Sequence, residues 1–170
     1  MNRTSIVLLA IATVLAAGPA SAQTRPTAQE QEEMHAAQFL VGKWNCAHTV
    51  GDFSGTYTTT YTSALGGTWI EQLYDFPAAG GDAPVHAEYF LSYDGRLPQW
   101  VRFGAHSNAQ YYGMVGKRVD NVWSWSYVLP GRSGSVVWTK KSDTEYTVDG
   151  PTYPANGKMV TEHHTCRKVS

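Results

Sequence analysis

Charge is scarce in this 170-residue chain: 16% of residues are Asp, Glu, Lys or Arg, with 13 basic residues set against 14 acidic ones. That balance excludes the dense basic face a nucleic-acid partner needs to neutralise phosphates. It excludes a polybasic membrane-binding surface for the same reason. The one long apolar run, Ile6 to Ala17, falls far short of the ~20 residues of a membrane-spanning helix. Local signatures of common chemistry are missing too. Gly131-Arg-Ser-Gly-Ser135 lacks the final glycine of a nucleophile elbow. There is no H-E-x-x-H, P-loop, G-x-G-x-x-G or C-x-x-C. His86-Ala-Glu88 has half of a zinc-deaminase pattern but no paired cysteines beside it. Motifs therefore assign no catalytic residue, no metal and no cofactor.

The N-terminus does carry a signal. Asn2-Arg3 supplies one positive charge, the apolar run follows, and Gly18-Pro19 breaks it before the small residues Ala20-Ser21-Ala22. This pattern predicts a signal peptide over residues 1–22, cleaved before Gln23, and export to the periplasm or the medium. The remaining length suits one domain. Residues 23–37 read as a tail and helix, and 38–170 as a β-domain. Cys46 and Cys166 are the only cysteines, and in an exported protein a disulfide between them is expected. A reduced pair and metal ligation are the alternatives. A bridge over so long a loop would set the first and last strands side by side.

Thr27-Ala-Gln-Glu30 fits a capping box, and Met34, Ala37 and Leu40 continue at helical spacing until Gly42. A helix over about 28–40 is predicted. Beyond residue 42 helical periodicity disappears. Runs rich in aromatic residues, Val and Thr, separated by Gly, Asp, Asn and Pro, predict strands at 43–50, 54–64, 68–76, 85–93, 99–106, 109–118, 121–129, 134–140, 144–149 and 158–168. Only 77–84 and 150–157 read as longer connections. The expected fold is all-β: a single antiparallel sheet of 8–10 strands, a size that tends to curl into a closed barrel. Six tryptophans and ten tyrosines then either line a ligand cavity or fill a solid core.

Phe39-Leu-Val-Gly42-Lys-Trp44 resembles the G-x-W element of the calycin (lipocalin-like) group, whose Trp packs at the closed end of a β-barrel. Leu40 to Trp44, Thr60 to Glu71, Tyr89 to Asp94 with Trp100, and Val137-Trp-Thr139 together resemble the calycin-like domain-of-unknown-function family 1579. The resemblance implies a closed barrel with a small-ligand pocket and carries over no functional residue. Nitrobindin-type haem barrels are also similar in strand count. That likeness makes haem, held by His163 or His164, an alternative cofactor.

Strand parity yields the candidate site. Residues two apart share a face, so Trp44, Cys46, His48 and Val50 lie together, as do Glu162, His164 and Cys166. Pairing Cys46 with Cys166 puts His48 opposite His164 and Val50 opposite Glu162. An inward Trp44, as the calycin resemblance implies, turns His48, His164 and Glu162 into the barrel and His163 outward. Trp69 and Glu71 share a face, as do Trp100 and Arg102, and are expected beside them, with Arg102 as counter-ion to Glu71 or to an anionic ligand. Three functions remain open: a barrel binding a small apolar or amphipathic molecule, a filled envelope-interaction module, and a haem- or metal-binding barrel or enzyme using His48 and His164.

Overall fold

A computed structural model describes residues 25–78, 83–129, 133–155 and 157–169, so the leader expected over 1–22 lies outside the described residues. A helix α1 (Ala28–Ala36) and a 3-10 turn (Gln38–Leu40) lead into ten strands. These are β1 (Gly42–Val50), β2 (Phe53–Ala64), β3 (Trp69–Phe76), β4 (Val85–Asp94), β5 (Gln99–His106), β6 (Tyr111–Val119), β7 (Val122–Tyr127), β8 (Ser135–Ser142), β9 (Glu145–Ala155) and β10 (Lys158–Lys168). Each pairs antiparallel with its sequence neighbour, and β1 closes on β10 to complete the barrel. All ten expected strands are present. One expectation fails: the connection drawn at 150–157 is mostly strand, because β9 continues through Pro151 and Pro154 to Ala155. Its prolines obscured it, since a proline in an apparent strand argues against the assignment.

The closing seam has the register that the cysteines imply. Cys46 pairs with Cys166, His48 with His164 and Val50 with Glu162, and the two cysteines form a disulfide. Closure also removes both sheet edges, whose unpaired backbone groups would otherwise invite association.

The end of the barrel beside α1 is plugged. Thr27 and Glu30 make the capping box that starts the helix, and Glu33 ties the helix to the strands. Trp100 Nε1 donates to Glu33 at 2.9 Å, and Arg118 Nε donates to the same carboxylate at 2.7 Å. Met34, Ala37 and Leu40 pack down onto Trp44 and its neighbours. Trp44 Nε1 donates to the Leu40 carbonyl at 2.6 Å, which fixes the turn over the barrel floor. Further in, Trp125, Trp138, Tyr61, Tyr146 and Ile70 fill the cross-section. Two inward glycines leave room for facing aromatic rings, one in this plug and one on the open side of the barrel. Gly104 stands opposite Tyr89 and Gly116 opposite Trp125, and a Cβ at either position would collide with the facing ring.

The disulfide closes a loop of 120 residues, for which chain entropy allows up to about 4.7 kcal/mol. The double variant Cys46→Ala/Cys166→Ala is expected to lose about 2–5 kcal/mol of unfolding free energy in urea while retaining its β-rich far-UV spectrum. A loss well under 1 kcal/mol would show that β1 and β10 stay paired even in the unfolded chain.

Candidate functional site: a tyrosine-walled cavity with a buried arginine

Away from α1 the barrel is not filled. A cavity of about 130 Å³ remains, walled by Tyr57, Tyr74, Tyr89, Tyr112 and Tyr127, with Arg102, Glu162 and His164 also on its surface. The wall arises from alternation: each of β2, β3, β4, β6 and β7 turns one tyrosine inward at this level. A volume of this order suits a molecule about the size of benzene and is below the roughly 300–1,000 Å³ of sites for drug-sized ligands. Glu162 and His164 keep 22% and 12% of their side-chain exposure, so solvent reaches the cavity on their side.

Arg102 is its most unusual member. Only 7% of the residue is exposed, and burying a cation costs several kcal/mol unless its charge and donors are compensated. Nε and Nη2 both donate to Gln72 Oε1, at 3.3 and 3.1 Å, and Nη2 also reaches the Tyr74 hydroxyl at 3.3 Å. Nη1 meets Met114 Sδ at 3.5 Å, a weak acceptor. The guanidinium carbon lies 3.6 Å from the centre of the Tyr89 ring, a cation–π contact. Among the described residues, no carboxylate forms an ion pair with Arg102. Burial pushes its pKa down, but the oxygens of Tyr74, Tyr89 and Tyr61 push it up more strongly, and the net direction is upward. Burial raises the pKa values of Tyr57 and Tyr89, so both phenols stay neutral and can donate.

The second cluster stands at the seam. The rings of His48 and His164 stack with centroids 4.5 Å apart and planes at 27°. Glu162 Oε2 lies 3.8 Å from His164 Nε2, and Tyr57 OH shares a hydrogen bond of 2.9 Å with His164 Nδ1. His48 is half-buried. Its pKa is lowered, first by desolvation and next by His164, with Glu162 opposing both.

Sequence parity places these residues correctly except on β3. There Ile70, Gln72, Tyr74 and Phe76 point inward and Trp69 and Glu71 point out. Trp69 packs edge-on against Phe103 at 5.6 Å, and Glu71 accepts from Thr62 Oγ1 at 2.8 Å. Glu71 is therefore not the partner of Arg102; Gln72, one residue on, is. Trp100 points inward, but to the plugged end, where it is fully buried. His163 faces outward, paired with Asp149 at 2.7 Å. The five wall tyrosines, Gln72 and Met114 were not singled out from sequence. Their signal, inward alternation on successive strands, is legible only once each strand's parity is fixed.

His48 faces His164, Glu162, Tyr57 and Phe53. Because its pKa is lowered on folding, the unfolded chain binds this proton more readily than the folded one. With a chelator present, stability should fall as pH drops from about 6.5, the ordinary histidine value, through the folded value. Urea unfolding across this range should show a shallower acid slope for His48→Gln; an unchanged slope would contradict the assignment.

No protein-family model matches the chain, and no curated protein shows detectable similarity to it. Its function must be read from this geometry.

Proposed function

We propose that this chain is an exported, calycin-like barrel that binds a small amphipathic carboxylate in the tyrosine-walled cavity, with the ligand's anionic group held by Arg102. The observation that carries the reading is a buried guanidinium on the cavity surface whose partners are an amide, a hydroxyl, a thioether and a ring, all neutral. A carboxylate would supply the missing charge. Hydrogen bonds to an ionised acceptor are also roughly twice as strong as neutral ones. Neutral phenols around it can donate to the same group, while the tyrosine faces and Phe76 suit an apolar or aromatic body. The cavity volume limits that body to about one ring.

Export is supported by the N-terminal pattern ending in Ala20-Ser21-Ala22 and by the Cys46–Cys166 disulfide. Among the described residues, no helix is long and apolar enough to cross a membrane. The plugged barrel end, with Trp44 beneath the 3-10 turn, supports the calycin-like reading.

Calorimetric titration with benzoate, benzyl alcohol and benzylamine tests the proposal. Benzoate should bind at least about tenfold more tightly than the alcohol, the smallest effect expected of a charged hydrogen bond worth ~1.5 kcal/mol. Arg102→Met should abolish this preference, and Tyr74→Phe, which keeps the ring, should reduce it. Tighter binding of benzylamine would assign the cavity to Glu162 rather than Arg102 and overturn the reading.

A further inference from the structure

The seam cluster does more than line the cavity. We propose that His48, Glu162 and His164 form a binding site for one divalent transition-metal ion of the zinc class, anchored across the β1–β10 closure. Two imidazoles and one carboxylate are a known ligand set for such ions. One nitrogen from each histidine and one oxygen of Glu162 already lie within 4.8 Å of one another. Tetrahedral coordination at ordinary bond lengths brings ligand atoms to roughly 3.3 Å. Closing that gap requires the two stacked imidazoles to rotate about their side-chain bonds so that their lone pairs converge.

Three features distinguish this group from an ordinary surface histidine pair. All three residues sit in the paired β1–β10 ladder, with Glu162 at the bulge where β10 shifts register against β9, and the cross-strand pair His48–His164 is the next inward pair along from the disulfide. The Glu162–His164 separation of 3.8 Å is too long for a hydrogen bond and leaves space for an ion between them. Tyr57 OH shares a hydrogen bond with His164 Nδ1; in the tautomer whose Nδ1–H donates to the phenol oxygen, Nε2 turns a lone pair toward Glu162, the outer-sphere arrangement that orients metal-binding histidines. Gly150 contributes by omission: a Cβ there would strike the Glu162 side chain. By contrast, His86–Asp75 and His163–Asp149 are direct 2.7 Å contacts on the outer surface.

Three protein ligands leave a tetrahedral ion one open position for water or an exogenous oxygen. Two of the three, Glu162 and His164, also line the tyrosine-walled cavity. The metal site itself does not depend on the carboxylate reading, because it uses neither Arg102 nor the tyrosine faces.

The test uses the mature chain without a histidine tag, stripped with chelator and dialysed, titrated with Zn²⁺ by calorimetry and with Co²⁺ by visible absorption. One Zn²⁺ per chain is expected, together with the visible bands of four- or five-coordinate Co²⁺. His48→Gln, His164→Gln and the nearly isosteric Glu162→Gln should each weaken Zn²⁺ at least about tenfold, and His163→Gln should not. Far-UV circular dichroism identifies any variant that fails to fold, and Glu162→Gln keeps the test decisive in that case. Absence of stoichiometric Zn²⁺ binding, or binding that Glu162→Gln leaves unchanged, would overturn the proposal.

Discussion

Both candidate sites depend on the antiparallel closure of β1 against β10. Closure fixes which face of each strand is inside, because side chains alternate with a period of two and a slip of one residue would invert the set. It also brings together residues about 120 positions apart, and the disulfide holds that pairing at the level of Cys46 and Cys166. Toward α1 from the disulfide the seam carries Trp44 and Lys168, which belong to the plugged end. On the other side it carries His48, His164 and Glu162. The same two strands thus join a structural half to a polar half, with the disulfide at the boundary.

The halves obey different physics. In the plugged half, the polar tips of several large aromatic residues are satisfied locally, Trp44 by Leu40, Trp100 by Glu33 and Tyr61 by Tyr146 at 2.9 Å, while the buried Trp125 Nε1 finds no hydrogen-bond partner among the described residues. Area burial and ring packing dominate there. In the other half Arg102 organises the polar groups. Gln72 accepts from it with one end of its amide and, with the other, donates to Thr59 and Tyr61, so the guanidinium is linked to the aromatic floor. Such a chain of hydrogen bonds holds the arginine in one position without neutralising its charge. That separation of positioning from neutralisation suits a receptor for an anion.

Much of this was legible in sequence, for identifiable reasons. The strands are visible because the turns are short and marked by Gly, Asp and Asn, and the seam because a lone cysteine pair, expected to be bridged, constrains topology. Once Cys46 faces Cys166, the positions of His48, His164 and Glu162 follow by counting. Strand β3 misleads because Trp69 reads as a marker of the inner face, whereas the barrel turns Ile70 and Gln72 inward. A buried glutamine makes sense only beside a buried arginine from β5, and that neighbour is set by inter-strand register. The tyrosine wall was hidden for the same reason: its five members come from five strands, and no single segment records their convergence.

The central claim is that Arg102 is a ligand-binding cation and not merely a core residue. Its Nε–H signal in ¹H–¹⁵N NMR spectra, assigned by its loss in Arg102→Lys, reports on this directly. The account predicts a saturable shift of that signal on adding benzoate and a much smaller one on adding benzyl alcohol. An Arg102 signal that stays fixed while other residues respond to benzoate, or that moves equally with the alcohol, would contradict it.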